Sequence, residues 1–268
     1  MRFKETIKPD INDINKACDI TIAALEKSIK EGIEWCRKNK QKPVLLFSGG
    51  VDSGLLFFML KKIEPAFPAI AAGFKGSKDV EYVKQVFAHV NCNLHVIEFS
   101  ESELEEALVE YKAKFPEYLS QLDIELGIAI YMLAKKVENG YNCFWLGTGA
   151  EELFLGYKKH AEKYKYGGEV LRSLQLSELK ELQKKDIDRT EKILSTFGIS
   201  TYLPYLNNDF LNAVLRINPL LNVHPLRKFV IRKCAVLIGV PEQIAYRKKV
   251  ALQYGTGISS RLKKKHFR

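Results

Sequence analysis

The sequence predicts an α/β fold: a parallel, doubly wound sheet with an N-terminal helix packed on it and a C-terminal helical lobe. Three observations carry that expectation. Short continuous apolar runs alternate with amphipathic stretches between Pro43 and Leu146. A serine- and glycine-rich turn joins the first run to the helix-like stretch after it. Beyond Gly156 helical periodicity continues with no convincing strand.

Ile11, Ile14, Cys18, Ile22, Leu25, Ile29 and Ile33 recur in steps of three and four, which gathers them on one face of a long opening helix. Pro9-Asp10 marks its expected start, with the Asp10 carboxylate accepting from first-turn N–H groups. Pro43 to Phe47 reads as a strand covered on both faces, and Leu55 to Leu60 as the following helix. Phe67 to Phe74 repeats the strand signal. Val80, Val83, Phe87 and Val90 mark the next helix, and Leu94 to Phe99 a third strand. Helices are expected over about Ser102–Phe115 and Leu119–Val137, before a fourth strand at Cys143 to Leu146. Alternation of this kind implies right-handed crossovers between parallel strands. Leu171–Phe197, Asp209–Ile217 and Leu226–Ile238 then read as helices. The expected division is an N-terminal helix over 1–40, an α/β core over 41–157 and a helical lobe over 158–268 that ends in a basic tail.

The composition, 46% hydrophobic and 28% charged over 268 residues, is that of a globular chain rather than a disordered or fibrous one. No apolar run reaches the roughly 18 to 20 residues that span a bilayer, and Met1-Arg2-Phe3-Lys4-Glu5 has no signal-peptide pattern, so a cytoplasmic location is expected. Cys18, Cys36, Cys92, Cys143 and Cys234 are scattered and never form Cys-x-x-Cys, which argues for reduced packing residues over a disulfide framework or a zinc site. The net charge of +10 suits a polyanionic partner, but the lysines are spread over helix faces in the manner of a solvated surface. Nucleic acid is therefore not the favoured partner. The most concentrated basic run, Arg261 to Arg268, is expected to fray.

Ser48-Gly49-Gly50-Val51-Asp52-Ser53 lies between a predicted buried strand and a predicted helix, at the carboxyl edge of the sheet where ligands gather. Its glycines let the backbone approach an anion, its serines offer hydroxyl donors, and the helix N-terminus presents free N–H groups with a partial positive charge. This is a pyrophosphate cradle. Asp52 would repel the anion directly, so it fits a Mg²⁺ ligand that bridges to phosphate oxygens. The spacing matches neither the Gly-x-x-x-x-Gly-Lys loop nor the Gly-x-Gly-x-x-Gly fingerprint.

The loop resembles the PP-loop of the ATP pyrophosphatase superfamily, whose members cleave ATP to AMP and pyrophosphate. Leu146-Gly147-Thr148-Gly149-Ala150-Glu151-Glu152-Leu153-Phe154-Leu155-Gly156-Tyr157 is similar to the Ser-Gly-Glu-Gly-Ser-Asp-Glu-Leu-Phe-Gly-Gly-Tyr segment of asparagine synthetases. Tyr202-Leu203-Pro204-Tyr205-Leu206, Arg216-Ile217-Asn218-Pro219, Arg227-Lys228-Phe229-Val230-Ile231-Arg232 and Tyr246-Arg247-Lys248-Lys249 continue the resemblance in family order. It covers about Pro43 to Gly257 and implies an asparagine-synthetase-like synthetase domain, an ATP-dependent ligase that adenylates a carboxylate before an amine displaces AMP. The resemblance assigns Leu46, Ser48, Gly49, Gly50, Asp52 and Ser53 to ATP, with Phe74 and Gly147 beside the adenosine. It gives Mg²⁺ to Asp52 and Glu151, the latter standing where the family usually has Asp. Lys228 would meet the charge that builds on the departing pyrophosphate.

Two departures qualify the resemblance. Arg2 follows Met1 where bacterial-type asparagine synthetases carry a cysteine nucleophile and a glutaminase domain, so glutamine alone is not expected to support the reaction, and the amine is expected from a preformed amino substrate or from a separate ammonia-supplying glutaminase partner. Thr148 replaces a family glutamate beside the acid site that could accept a proton from the incoming amine, so free ammonia is expected to be used poorly, and the acid is left open. The loop alone also fits a tRNA-modifying PP-loop enzyme or a nucleotide-binding relative without catalysis. The Arg247–Arg268 segment, with Gly255 and Gly257, is expected to be a mobile lid whose cations order over bound phosphates.

Overall fold

The computed structural model describes residues 6–87, 93–137, 139–248 and 250–266. In chain order α1 (Ile14–Lys38), β1 (Pro43–Leu46), α2 (Val51–Ile63), β2 (Ala69–Phe74), α3 (Lys78–Phe87), β3 (Leu94–Phe99), α4 (Glu101–Lys114), α5 (Gln121–Val137) and β4 (Cys143–Trp145) build the first half. The second half holds α6 (Ala150–Leu153), α7 (Lys158–Lys163), α8 (Gly168–Leu182), α9 (Asp188–Ser195), β5 (Ser200–Tyr202), α10 (Asn208–Val214), α11 (Leu220–Val223), α12 (Phe229–Leu237), α13 (Glu242–Ala245), α14 (Leu252–Gly255) and α15 (Ile258–His266).

The five strands form one parallel sheet in the order β3-β2-β1-β4-β5. Leu45 pairs with Ala69 on one side and with Trp145 on the other, so β1 is central. The strand order reverses direction between β1 and β4, and the crevice beyond their carboxyl ends is where such a sheet binds ligands. Alternate residues feed two apolar layers. Leu45, Ala71 and Trp145 face a cluster shared with α1, α2, α10 and α12. Val44, Ile70 and Phe144 face one shared with α4, α5, α9 and α15.

The structure corrects several boundaries. A fifth strand exists at Ser200–Tyr202, where no strand was expected beyond Gly156; it is a three-residue, half-buried edge strand with two polar residues, too short for an apolar run to announce it. The opening helix starts at Ile14, capped by the Asp13 carboxylate, which accepts from Lys16 N at 2.8 Å. Asp10 instead accepts two bonds from the Arg216 guanidinium, and Ile11 bridges Ile217. The long helix expected from Leu171 to Phe197 is two, α8 and α9, joined by a π-helical turn at Gln183–Ile187. The carboxyl-terminal segment carries regular structure rather than a frayed tail: α15 runs to His266, with the Arg261 guanidinium 3.9 Å from the centre of the Phe74 ring and bonded to Glu101. Val90 and Lys249 lie outside the described residues.

Among the described cysteines, Cys18, Cys36, Cys143 and Cys234 are all buried. No described helix is long and apolar enough to cross a membrane.

Candidate active site

The turn after β1 is stitched by its two serines. Ser53 Oγ accepts from Ser48 N at 3.1 Å and lies 3.0 Å from Ser48 Oγ, while its hydroxyl also reaches Gly50 O at 3.3 Å. Gly50 precedes α2 in an extended conformation, and no side chain caps the first turn of that helix, so its leading N–H groups remain available to an anion. Asp52 sits in that first turn.

From the neighbouring strand, β4 runs into Gly147 and Thr148 and then α6, a single turn that carries Glu151 and Glu152. Lys228 reaches in from the residue before α12, with its backbone held left-handed at φ 61°. Its ammonium lies 2.6 Å from Asp52 Oδ2 and 2.5 Å from Glu151 Oε1, and the side chain is almost wholly buried. Burial opposes the lysine's charge, but the two carboxylates outweigh it and raise its pKa above the ordinary lysine value. Asp52 Oδ1 is buried without a hydrogen-bond partner among the described residues. Tyr205 donates to the Asp52 carbonyl at 2.8 Å and fixes the backbone beneath it.

Gly156 closes the cluster from the other side. A Cβ there would land on the Glu151 carboxylate and on Lys228 Cε. Gly156→Ala should therefore cost about 1–3 kcal/mol, the range for a methyl forced into a packed site. Thermal unfolding beside the activity assay checks this: loss of both is expected, and a variant with unaltered stability and turnover would contradict the packing described.

These groups open onto one cleft of about 650 Å³ at the β1–β4 crevice. Leu46, Ile70, Ala72, Phe99, Leu133 and Leu146 make an apolar half suited to a flat base. Thr148, Glu152, Tyr157, Asp186, Arg189 and Arg227 line a polar half. There the Tyr157 hydroxyl donates to Glu152 at 2.5 Å, and burial, reinforced by that carboxylate, drives the phenol pKa far up. Arg189 bonds Asp123 at 2.7 Å and Asp186 at 2.5 Å.

Of the residues singled out from the sequence, Leu46, Ser48, Asp52, Ser53, Gly147 and Glu151 line this cleft. Gly49 and Gly50 supply the loop backbone between them, and Lys228 joins the cleft through its two ion pairs. Phe74 does not point into it: its ring is buried between Phe99, 5.8 Å away centre to centre, and the Arg261 guanidinium. Asp186 and Arg189 were not foreseen, because both are ordinary charged residues in a helical stretch without a spacing signal.

Two further cavities lie beside the polar half. A cavity of about 30 Å³ shares Leu146, Thr148, Asp186 and Thr190 with the cleft. It shares Ile187, Glu191, Thr201 and Leu203 with an outer pocket of about 260 Å³ beside β5. The three spaces thus adjoin one another in turn, and Thr148 lines both the cleft and the middle cavity.

The family model for asparagine synthase matches residues 25–170 and 163–267, nearly the whole chain. The chain belongs to the asparagine synthase family. It is 27% identical over 268 residues to a putative glutamine-hydrolysing asparagine synthetase of Methanocaldococcus jannaschii, covering 87% of this chain and 49% of that protein. With asparagine synthetase B of Escherichia coli it shares 25% identity over 276 residues, 95% of this chain and 47% of the relative. The chain therefore spans about half the length of these asparagine synthetase relatives. A solved NAD⁺ synthetase from Burkholderia pseudomallei superposes over 99% of this chain and 97% of its own, but at a TM-score of 0.32 and 11% identity this likeness decides nothing.

Among the described residues no group of three or more His, Cys, Asp or Glu side chains is placed to hold a metal ion. Asp52 and Glu151 nevertheless supply hard carboxylate oxygens side by side, one of them unpartnered. That donor set fits Mg²⁺, which characteristically takes one or two carboxylates and completes its shell with phosphate and water.

Proposed function

We propose that this chain adenylates a carboxylate with ATP and then transfers the acyl group to an amine, as an ATP-dependent amide-forming ligase. The observation that carries this reading is the buried Lys228–Asp52–Glu151 cluster, set directly against a capless helix N-terminus at the sheet's switch point. In the first step a carboxylate oxygen attacks the α-phosphorus and the bond to the β-phosphate oxygen breaks, releasing pyrophosphate. In the second, the amine nitrogen attacks the acyl carbon, AMP departs with the bonding pair, and the nitrogen loses a proton.

The loop's N–H groups and the Ser48 and Ser53 hydroxyls would hold the phosphates, and the apolar half of the cleft the base. Lys228 would stabilise the negative charge that grows on the leaving pyrophosphate, an effect largest in a buried site where the ammonium is already oriented. Asp52 and Glu151 would hold Mg²⁺, which when bound supplies charge neutralisation at the phosphate oxygens. The acid would occupy the polar half, facing Arg189, Arg227 and Tyr157. Acid-dependent exchange of labelled pyrophosphate into ATP tests the first step.

The adjoining cavities beside Thr148 would give a small amine a route to the acyl carbon that does not pass the nucleotide. Thr201→Trp, which fills the narrow middle space, should lower amide formation from ammonia by about tenfold, a barrier increase near 1.4 kcal/mol. Pyrophosphate exchange should be unchanged in the same variant. Equal loss of both, or of neither, would contradict an amine route through this passage.

A further inference from the structure

Arg247 stands behind the phosphate loop rather than over it. Its Nη1 donates to Ser48 O at 2.9 Å and its Nη2 to Asp79 Oδ1 at 2.7 Å. The guanidinium carbon lies 3.8 Å from the centre of the Tyr82 ring, close enough for cation–π stacking. Tyr82 in turn donates to Gln243 O at 2.8 Å, which ties α3 to α13 around the arginine. Gly49 adopts φ +75°, and a Cβ there would come within 2.6 Å of Arg247 Nη1 and 3.0 Å of Tyr82 Cδ1. The first glycine of the loop is thus required as much by the arginine behind it as by any anion in front.

Asp79 gives the contact a second meaning. It is 5% exposed and lines the cleft beside Ser48. Burial pushes its carboxyl pKa up, while Arg247 pulls it back toward the ionised form. A Cβ on Gly255 would land on this carboxylate, so the α14 segment packs directly over the pair. Leu252 and Thr256 of that segment line the cleft, and Thr256 O accepts from Phe74 N at 2.9 Å at the end of β2. One guanidinium therefore joins the loop after β1, the start of α3 and the C-terminal wall of the cleft.

We propose that Arg247 is the positioning residue of the nucleotide site: it holds the Ser48 carbonyl away from the phosphates and screens Asp79, so that no bare carboxylate faces a bound triphosphate. This rests on the reading that the Ser48–Ser53 loop binds ATP. It gives Arg247 a role other than that of a lid cation, since the guanidinium is engaged by Ser48, Asp79 and Tyr82.

The test is calorimetric binding of Mg-ATP to the full chain and to Arg247→Met, Arg247→Lys and the Arg247→Met/Asp79→Asn double variant, with thermal unfolding of each. Arg247→Met should weaken ATP by about 30-fold or more, the scale for leaving one partner of a buried charge pair uncompensated. Arg247→Lys should not restore it, because an ammonium cannot span two acceptors and stack. Removing the Asp79 charge in the double variant should recover a large part of the affinity. A purely structural role would lower thermal stability without that recovery.

ATP affinity of Arg247→Met within about threefold of the wild type, or a double variant no better than the single one, would overturn the proposal. If Arg247→Met does not fold, Arg247→Lys against the double variant makes the same comparison. A wild-type chain that binds no Mg-ATP is a different result and contradicts the nucleotide reading itself.

Discussion

Lys228→Met is expected to lower AMP formation by about 100- to 1,000-fold, the effect of deleting one oriented donor to charge that develops in a transition state. The methionine keeps the length of the side chain and removes its ammonium, which bonds both Asp52 and Glu151. Two carboxylates then face one another in a buried site, and stability should fall by about 3–5 kcal/mol. The pH dependence has a definite sign. Burial lowers the pKa of Lys228 and the carboxylates raise it further, so its folded value lies above the ordinary 10.5. A group with a raised folded pKa stabilises fully below its unfolded value and loses that contribution as pH rises through the folded one. The part of the stability gap that comes from the Lys228 charge should therefore shrink in alkali above 10.5, while protonation of the two facing carboxylates in the variant narrows the gap on the acid side. Chemical denaturation across pH checks this, and a gap that stays level in alkali would contradict a charged Lys228.

Asp52→Asn should be nearly as damaging to turnover and much milder to the fold. The carboxamide keeps the shape and can still accept from Lys228, while the Tyr205 bond is made to the backbone carbonyl and survives. What disappears is an anionic oxygen that would hold the proposed Mg²⁺, and half of the charge that faces the lysine. AMP formation should drop by about 100-fold or more if Asp52 holds Mg²⁺ as proposed, since the charge neutralisation that the metal would supply at the phosphates would go with it. Thermal unfolding should shift by only a few degrees, because Glu151 continues to pair with Lys228. AMP release and unfolding measured side by side decide the matter, and unchanged turnover would remove Asp52 from the mechanism.

Much of this site was legible because the residues that make it are local. The loop from Ser48 to Ser53 follows a strand whose burial on both faces makes it a continuous apolar run, and Glu151 follows another. The parallel order of β1 to β4 follows from the same alternation. β5 was not legible: Ser200-Thr201-Tyr202 sits at the sheet edge and needs no apolar face. The start of α1 was misplaced because Asp10 and Asp13 are both capping residues, and only the distant Arg216 decides between them. Phe74 was placed beside the adenosine by the family resemblance, yet its ring is claimed by Phe99 and Arg261, contacts made across long sequence separations. Arg247 was recognised as a cation near the phosphates, but its attachment to Ser48, Asp79 and Tyr82 depends on how three segments pack. The polar half of the cleft was the least readable. Asp186 and Arg189 reach it through a π-helical turn that shifts the helix register between α8 and α9, and no periodicity of charged residues signals such a turn.

Reversible adenylation of a carboxylate at the Lys228–Asp52–Glu151 cluster, as proposed above, is open to direct measurement by isotope exchange. Purified chain should be incubated with Mg-ATP, ³²P-labelled pyrophosphate and a panel of acids that includes aspartate, and labelled ATP quantified. Label should enter ATP only when a suitable acid is present, and Lys228→Met and Asp52→Asn should both abolish the exchange. Exchange that proceeds without any acid, or that persists in both variants, would contradict adenylation at this cluster.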